Sequence, residues 1–480
     1  MNILFIFSIA DYQSPEKPLP SPIDLQFGIS YISSFLKSKG HKTKLLVLTR
    51  ETSQKIIDKH LKKFNPKLVC FTSVASEYKF ISKIAKYIKS NYPEKYLLIG
   101  GPHVTLNPSE AIKDSFDAVC VGEGESPSLE LTEQLEKNEQ PDKIDNLWIK
   151  NKNKIQKNKT REFIQDLDAF PSPDRGMWNE WINIFGDKHS ILLGRGCPFQ
   201  CTYCSNHALK KISEGKYVRF RSVDKIINEL KEIVEEFPET KEVYFQVETI
   251  GINEKFAKEL CSKLRIFNIK NKKLEYGINL RVTPNADYKK FFKSFKEANF
   301  KFINIGLESG SQRVREEILK RHYSNKDIFH AVKSAKKYGL KTRLFVMIGL
   351  PGENLKDFKE TIKCCRICQP EGIYYGIFFP YAGTELYSYC KTNKLLPKNL
   401  NGSMERRKAV LDTKEFPKKE VQKQYIWFYY NVYKGYKPTH ILLLNVIINT
   451  IKGNHIMNII SRRIYGFPPI NKLIKQIKSP

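Results

Sequence analysis

Strand and helix signals alternate along roughly the first 140 residues, and this alternation restricts the possible folds more than any other feature of the chain. Short apolar runs typical of buried strands occupy residues 2–8, 43–48, 68–72, 96–99 and 118–121. Segments with helical character separate them, at residues 29–39, 54–64, 78–91, 108–114 and 126–137. Because such alternation builds βαβ units, it predicts a Rossmann-like, doubly wound parallel sheet within residues 1–140.

Small and polar residues follow three of these predicted strands. They form the runs Thr72-Ser73, Gly100-Gly101-Pro102-His103 and Gly122-Glu123-Gly124-Glu125. Ligands of doubly wound sheets lie beyond the carboxyl ends of the strands. The sequence therefore predicts a ligand site at this edge of the first sheet.

A second series of strand and helix signals begins at residue 190, after a connecting segment, residues 141–187, that reads as a hairpin and linker. The hairpin is expected at residues 146–150 and 154–157. Strands of the second series are expected at residues 190–194, 243–247, 274–279, 302–306, 341–348 and 372–379. Between the first two, apolar residues recur with helical period from Val223 to Phe237, and Ser222 is available as the N-cap.

Three cysteines stand in the loop after the first strand of this second series, in the run Cys197-Pro-Phe-Gln-Cys201-Thr-Tyr-Cys204. Iron–sulfur clusters are held by cysteine thiolates, normally four of them. Three thiolates from one loop would leave one iron without a protein ligand, like the open position of a catalytic metal site. The spacing therefore predicts a reactive cluster, with Arg195, Lys210 and Lys211 offsetting its negative charge. Three structural thiols are the alternative.

With this CxxxCxxC spacing, the chain resembles the radical S-adenosylmethionine (SAM) superfamily. The resemblance implies that Cys197, Cys201 and Cys204 hold a [4Fe–4S] cluster whose free iron chelates the amino and carboxylate groups of SAM. It further implies that an electron from the cluster cleaves SAM to a 5′-deoxyadenosyl radical. The implied fold of residues 188–395 is a partial (β/α)6 barrel with its chemistry at the carboxyl ends of the strands.

Two polar residues at strand ends are candidates for binding SAM. Glu248 follows the second strand, where the family usually has Asp-Asp-x-Phe, and one of the two acids is lost here. A carboxylate at this point suits the SAM amino group. Arg281 follows the third strand and is a candidate for the SAM carboxylate, with a salt bridge at the barrel rim as the alternative.

Three further motifs follow in the family's order. The run Gly306-Leu-Glu308-Ser309-Gly310 matches the family's Gly-x-Glu-Ser-Gly, which implies a SAM role for Gly306, Glu308 and Ser309. A helix N-cap formed by Ser309 is the alternative. Ile348 belongs to residues 345–353, which match the strand-five signature whose backbone flanks adenine, and residues 379–386 match the end of strand six.

The first domain resembles the cobalamin-binding domain of one subgroup of this superfamily, through residues 22–32, 100–104 and 121–125. The resemblance implies a cobalamin site formed by Gly28, Thr72, Ser73, Gly100, Gly101, His103, Gly122 and Glu123. An Asp-x-His-x-x-Gly motif, the usual source of a histidine ligand to cobalt, is not found, as in many members of the subgroup. Loss of cobalamin binding is therefore an open alternative. His103 is expected to position the loop or to contact a phosphate or amide, and not to bind cobalt.

Composition restricts the partners and the location of the chain. Ten cysteines are too few, and too unevenly placed, for a secreted disulfide framework, and a thiolate cluster favours the reducing cytoplasm. The formal charge of +30 comes mostly from lysines spread along the helices, which favours solvated helix faces. A nucleic acid or an anionic membrane is the less favoured explanation. Cys364, Cys365 and Cys368 lie in a predicted helix and are expected to be ordinary helix cysteines.

Residues 396–480 carry none of the family's motifs and contain helical, aromatic-rich and basic segments. We expect them to form a helical cap over the barrel mouth that shapes the substrate site. Peripheral membrane contact through this region is the second interpretation.

Together these features predict a radical SAM enzyme that carries out cobalamin-dependent methylation of an unactivated carbon in a small-molecule substrate. An external electron donor such as flavodoxin or ferredoxin is implied. The alternatives are radical SAM cyclisation, oxidation or rearrangement without methyl transfer, modification of a nucleic acid, and a cluster-bearing sensor that is not an enzyme.

Overall fold

The computed structural model describes residues 1–453, apart from residues 11, 13, 153, 183–185, 401, 403 and 404. Two large sheets organise these residues, one in the N-terminal part and one in the middle of the chain. The last part of the predicted cap, residues 454–480, lies outside the described residues.

The first sheet has seven strands in the spatial order β2-β1-β3-β4-β5-β6-β7. The strands are β1 Asn2–Ser8, β2 Lys42–Leu48, β3 Leu68–Thr72, β4 Tyr96–Gly100, β5 Ala118–Cys120, β6 Leu147–Asn151 and β7 Lys154–Lys157. The helices are α1 Phe27–Ser38, α2 Gln54–Phe64, α3 Tyr78–Asn91, α4 Pro102–Leu106, α5 Pro108–Ala111 and α6 Glu125–Glu136. The strands β1 to β5 pair in parallel, which confirms the predicted sheet. Because the strand order reverses between β1 and β3, a crevice forms there at the carboxyl ends.

Two local features of this first unit differ from the prediction. The helix expected at residues 108–114 is the short helix α5, which ends at Ala111, and a further short helix, α4, precedes it where none is predicted. Each of the two begins with a proline at its first position, where the missing N–H costs nothing. The hairpin β6–β7, expected in the connecting segment, instead pairs antiparallel with β5 and extends the first sheet.

The rest of the connecting segment packs back onto α1. The indole of Trp178 is fully buried and donates to the hydroxyl of Ser30 across 2.8 Å. Asp174 accepts a hydrogen bond from Ser33 at 2.6 Å and pairs with Lys37 at 2.7 Å. The connection is therefore held to the first unit before the chain enters the second sheet.

The second part of the chain contains the strands β8 Lys188–Leu192, β9 Gly194–Arg195, β10 Arg219–Phe220, β11 Glu242–Gln246, β12 Glu275–Leu280, β13 Phe300–Glu308, β14 Lys341–Ile348 and β15 Gly372–Ile377. Six of them, β8 and β11 to β15, form one parallel sheet in chain order, and β9 and β10 form a separate antiparallel ribbon. The helices are α7 Ser205–Leu209, α8 Val223–Glu236, α9 Glu254–Lys270, α10 Tyr288–Glu297, α11 Asn325–Lys337 and α12 Leu355–Cys368. This arrangement confirms the predicted six-stranded βα sheet.

The described C-terminal helices are α13 Glu385–Thr392, α14 Lys418–Tyr433 and α15 Thr439–Gly453. Tyr425 and Phe428 of α14 pack against Tyr375 of β15, and Phe428 also packs against Phe358 of α12. The helix α14 thus covers the flank of the barrel beside β15, whereas the amide of Leu386 in α13 donates to the carbonyl of Thr202 in the run of three cysteines. A cap over the barrel mouth that shapes the substrate site stays a prediction. Within the described residues, no helix combines the length and the apolar character that crossing a membrane requires.

Candidate functional site

The cysteine loop leaves the ribbon β9–β10, directly after the first strand of the second sheet. A Cβ on Gly194 would collide with the carbonyl of Arg219, and a Cβ on Gly196 would collide with that of Tyr217. Gly196 also has a φ of 87°, a conformation that glycine adopts without strain. These two glycines therefore let the ribbon pack closely and turn the chain into the loop at Cys197.

The three cysteines of the loop offer the donor set of a cluster. Cys201 is buried, and Cys197 and Cys204 are half-buried. Burial raises the pKa of the Cys204 thiol to about 12, and it raises that of Cys197 as well. Among the described residues, no three His, Cys, Asp or Glu side chains are gathered closely enough to hold a single metal ion. A cluster binds each of its cysteines through a different iron, so its three thiols need not converge on one point.

Arg281 meets the cysteine loop from the end of β12. Its guanidinium donates to the Sγ of Cys201 across 2.7 Å and lies 3.7 Å from the ring centroid of Phe199. The sequence predicts Arg281 as a partner of the SAM carboxylate, with a salt bridge at the barrel rim as the alternative. Within the part of the chain that the structure describes, no carboxylate pairs with Arg281, and its guanidinium contacts the Cys201 thiol instead.

Glu248 lies just past β11, and its side chain is exposed. Burial is the main cause of the raised pKa of Cys197 and Cys204. The negative charge of Glu248 raises both pKa values further, because a nearby negative charge disfavours a thiolate. The structure therefore brings Glu248 beside the cysteine loop, at the edge where the sequence predicts a partner for the SAM amino group.

Glu308 is held beside the loop by an arginine that sequence reasoning missed. Its backbone has a φ of 60°, and its Oε1 pairs with Arg321 at 3.2 Å. Arg321 also donates to the hydroxyl of Tyr203, in the cysteine loop, at 2.9 Å and to the carbonyl of Gly306 at 2.7 Å. Arg321 lies thirteen residues after Glu308 and belongs to no motif, so nothing in the sequence indicates this position.

Ser309 points away from the loop. It is fully buried, and its hydroxyl lies 3.3 Å from that of Thr361 in α12. A Cβ on the neighbouring Gly310 would come within 2.5 Å of the Thr361 Cα. In this motif, the Gly306 carbonyl and the Glu308 carboxylate therefore both accept from Arg321, while Ser309 and Gly310 let α12 pack closely against β13.

In the strand-five signature, residues 345–353, the side chains of Ile348 and Glu353 are both buried. Ile348 is fully buried, and its carbonyl accepts from the amide of Phe378 at 2.8 Å. Glu353 is completely buried and accepts from the amides of Gly349 at 2.8 Å and Leu350 at 3.1 Å. Burial raises the pKa of Glu353 to about 8. This carboxyl group therefore shapes the turn after β14 without reaching the cavity.

A cavity of about 440 Å³ opens beside the cysteine loop, within the range of roughly 300–1,000 Å³ that is typical of small-molecule sites. Tyr203 and Glu308 form one side of it. Phe345 and Tyr374, whose rings stack with centroids 5.0 Å apart, form another. Arg406, whose carbonyl accepts from the amide of Ile377 at 2.8 Å, also contributes to the wall.

A second cavity of about 350 Å³ is the crevice at the carboxyl ends of the first sheet. Six of the residues predicted to bind cobalamin line it, namely Gly28, Thr72, Gly100, Gly101, Gly122 and Glu123. Gly101 has a φ of 101°, and a Cβ there would approach the Thr72 Oγ1 to 2.8 Å. Gly101 thus lets the ends of β3 and β4 pack closely beneath the crevice, whereas the Cβ position of Gly28 is open, so this side of the crevice accepts a ligand close to the backbone.

The other two predicted residues do not line the crevice. The hydroxyl of Ser73 donates to the carbonyl of Val74 at 2.9 Å. The ring of His103 packs against Tyr78 with centroids 4.6 Å apart, and burial lowers its pKa to about 4. The buried Nε2 of His103 has no hydrogen-bond partner among the described atoms. The ring of His103 therefore packs against α3, and the expectation that it positions the loop or contacts a phosphate or amide stays a prediction.

Glu123 and Glu125 face two arginines of the second unit. Arg195 pairs with Glu123 at 2.9 Å and with Glu125 at 2.5 Å, and Arg219 pairs with Glu123 at 2.9 Å. Burial alone would raise the pKa of Glu123, but Arg195 and Arg219 outweigh burial and lower it. Arg195, which the sequence assigns to the charge of the cluster, is therefore neutralised by the first domain.

Comparisons with known proteins match both halves of this arrangement. Residues 191–365 match the model of the Radical SAM superfamily, and residues 25–132 match that of the B12 binding domain. An uncharacterised methyltransferase of Pyrococcus horikoshii is 30% identical over 383 residues, which cover 77% of this chain and 79% of the relative. The anaerobic magnesium-protoporphyrin IX monomethyl ester cyclase of Rubrivivax gelatinosus is 23% identical over 75% of this chain and 65% of its own length.

The fold also resembles that of a solved structure. The cobalamin-dependent S-adenosylmethionine radical enzyme OxsB with aqua-cobalamin bound superposes with a TM-score of 0.69 at 15% identity. The superposition covers 97% of this chain and 75% of that chain. At this identity the likeness concerns the fold.

Proposed function

Because the chain belongs to the radical SAM superfamily, in the subgroup that carries a B12-binding domain, we propose that it methylates an unactivated carbon of a small-molecule substrate. The observation that carries this proposal is the contact between the two candidate cofactor sites. Leu192 and Arg195, which lead into the cysteine loop, form part of the wall of the crevice in the first sheet. A methyl donor in that crevice would lie next to the loop at which the substrate is activated.

Each site offers groups that suit its expected cofactor. Cys197, Cys201 and Cys204 would hold the [4Fe–4S] cluster, and the glycine-lined crevice would hold cobalamin. The carboxylates of Glu248 and Glu308 stand on two sides of the loop, where a SAM amino group or ribose needs acceptors. When bound, the cluster and SAM supply a radical that removes a hydrogen atom, and methylcobalamin supplies the methyl group.

The residues of the chain position and shield these groups. Arg321 fixes the Glu308 carboxylate and the Tyr203 hydroxyl through one guanidinium, so the two groups keep a constant separation. Phe199 lies under Arg281 and keeps water from one side of the loop. The stacked rings of Phe345 and Tyr374 provide an apolar wall for a substrate in the 440 Å³ cavity.

An assay under anaerobic conditions tests this function. The protein with a reconstituted cluster is supplied with hydroxocobalamin, a reductant and SAM that is deuterated in its methyl group. A cell extract serves as the source of substrate, and mass spectrometry follows the products. We expect 5′-deoxyadenosine and S-adenosylhomocysteine to form together and a small molecule to gain the deuterated methyl group. Formation of 5′-deoxyadenosine without S-adenosylhomocysteine or label in any product would contradict methyl transfer.

A cyclase or another radical reaction without methyl transfer is the second candidate, because one relative is named a cyclase. The same experiment separates the two. A cyclisation or oxidation consumes SAM to 5′-deoxyadenosine and yields a product that has lost hydrogen and gained no label.

The proposal includes an acidic electron donor such as flavodoxin or ferredoxin. Lys210, Lys211 and Lys216 are exposed on the segment that follows the cluster cysteines, and they offer a positive surface close to the cluster. We expect K210E/K211E to slow reduction by flavodoxin while reduction by dithionite stays unchanged. The variant K231E, at an exposed lysine on α8, is the matched control.

A further inference from the structure

The ribbon β9–β10 places two arginines directly opposite each other. Arg195 and Arg219 are paired residues of an antiparallel ribbon, so their side chains project from the same face. Like charges in this position repel each other and destabilise the pair. Both side chains are largely buried, at 19% and 4% exposed, which weakens the screening of that repulsion by water.

Two carboxylates from the first domain neutralise this pair. Glu123 accepts from both arginines, one through each carboxylate oxygen, and Glu125 accepts from Arg195. Glu123 also accepts from the amide of Ile164 at 2.9 Å. Two positive and two negative charges therefore form one buried network, which we call the ionic clamp: Arg195, Arg219, Glu123 and Glu125.

The ionic clamp links the crevice of the first sheet to the residues just before the cysteine loop. Arg195 is separated from Cys197 by Gly196 alone. Glu123, in the loop before α6, and Glu125, the first residue of α6, line the crevice, and Arg195 lines it as well. The partners of Arg195 therefore lie in the wall of the crevice, while Arg195 itself stands two positions before Cys197.

We propose that the ionic clamp couples the two sites, so that a cobalamin in the crevice changes the affinity of the cluster loop for SAM. Arg195 is then a positioning residue that acts through Cys197, and Glu123 serves the clamp and not cobalamin directly. This inference rests on the proposed function, since it needs both cofactors to bind. Coupling of this kind is reciprocal, so SAM must change the affinity for cobalamin by the same factor.

The variant R195M/E125L tests the clamp without leaving a buried charge unpaired. It removes one positive and one negative charge together, and Arg219 and Glu123 remain as a pair. Replacing a buried ion pair by apolar residues of similar size is often tolerated, whereas removing one partner is not. The matched control is R161M/E130L, a bidentate pair with two 2.6 Å contacts that joins α6 to the segment after β7 and does not touch the cysteine loop.

Binding of SAM to the full-length protein with a reconstituted cluster is measured by calorimetry, with and without hydroxocobalamin, and the reduced cluster is followed by electron paramagnetic resonance. We expect cobalamin to tighten SAM binding at least about fivefold in the wild type and in the control, and less than about twofold in R195M/E125L. We also expect cobalamin to change the cluster spectrum in the wild type but not in R195M/E125L.

Three outcomes would overturn the inference, and they differ in their consequences. If both cofactors bind without coupling, or if R195M/E125L couples them as the wild type does, the clamp idea fails and the proposed function stands. If the wild type binds SAM but no cobalamin, both the clamp and the cobalamin-dependent function fail. A second variant, R195K, keeps the charge but loses the two-pronged donor geometry and is expected to give intermediate coupling.

Discussion

Arg281 donates a hydrogen bond to the Sγ of Cys201 across 2.7 Å, although the two residues are 80 positions apart in the chain. The contact joins the end of the third barrel strand to the only buried cysteine of the loop. Hydrogen bonds and positive charge at a cluster sulfur stabilise the reduced cluster and raise its potential. Through Arg281 the barrel would therefore tune the potential of a cluster held by these cysteines.

Replacing Arg281 by glutamine should lower the reduction potential of the cluster and slow SAM cleavage. Loss of such an outer contact typically costs about 10–100-fold in activity. A redox titration followed by electron paramagnetic resonance gives the potential, and 5′-deoxyadenosine formation gives the rate. The control R343Q removes an arginine that stacks on Phe302 inside the barrel. Equal potentials in R281Q and the wild type would show that the contact has no role in the cluster.

Alanine at Cys197, Cys201 or Cys204 should abolish both iron binding and SAM cleavage. We expect the wild type to hold about four irons per chain after anaerobic reconstitution and each variant to hold almost none. Iron and sulfide analysis, together with 5′-deoxyadenosine formation, provides the measurement. The control replaces Cys364, which lies buried in α12, by alanine and should keep its iron. Wild-type deoxyadenosine formation by any of the three variants would rule out the assigned cluster site.

Alanine at Gly101 should weaken cobalamin binding by about tenfold or more while iron content stays unchanged. The new Cβ would approach the Thr72 Oγ1 and the Ser73 carbonyl to 2.8 Å, at the floor of the crevice. Titration with hydroxocobalamin, followed by visible absorption, measures the affinity. Gly40 is a matched control, because its φ of 86° is similarly strained for alanine but nothing lies within 4 Å of its Cβ position. Equal loss in G40A and G101A would attribute the effect to general backbone strain.

Alanine at Glu229 should destabilise the protein by about 3–5 kcal/mol, because it leaves two buried arginines without a counter-charge. Glu229 pairs with Arg175 and with Arg221, at 2.5 Å each, and is 1% exposed. Chemical denaturation followed by circular dichroism measures the change. Glu232, an exposed residue on the same helix, is the control, and E232A should change stability by less than about 0.5 kcal/mol. Equal midpoints for the two variants would contradict the assigned role.

The stability contributed by Glu353 should depend on pH. Burial raises its pKa to about 8 from an ordinary value of 4.5, so between these values the folded protein keeps a proton that the unfolded chain releases. The contribution is therefore fully present below the unfolded value and declines as the pH rises towards 8. E353Q keeps an acceptor oxygen but cannot ionise.

We therefore expect the denaturation midpoint of E353Q to rise relative to the wild type from about pH 5 to about pH 8 and to stay constant above that. The exposed neighbour Glu360 gives the control variant E360Q, whose profile should parallel that of the wild type. A constant difference between E353Q and the wild type across this range would show that Glu353 is ionised in the folded protein.

Most elements of both sheets can be predicted from the sequence, because a strand or helix is encoded by the spacing of its own apolar residues. The strands β1, β3 and β14 match their predicted limits residue for residue. The helix α4 escapes detection because its five residues are too few to show a helical period. The hairpin β6–β7 is correctly located. Its pairing with β5 is not predicted, because the partner of a strand depends on contacts between distant residues, and the spacing of neighbouring residues does not encode them.

By itself, the sequence determined the two βα series, the cysteine loop between them and the glycine-rich strand ends, since each of these is a property of neighbouring residues. Only the tertiary structure decided which charged and polar side chains contact each other. In the folded chain Arg195 pairs with Glu123, Arg281 donates to the Cys201 Sγ and Arg321 pairs with Glu308. Each contact is set by how whole elements pack, and the direction of a buried charged side chain depends on which opposite charge that packing brings within reach.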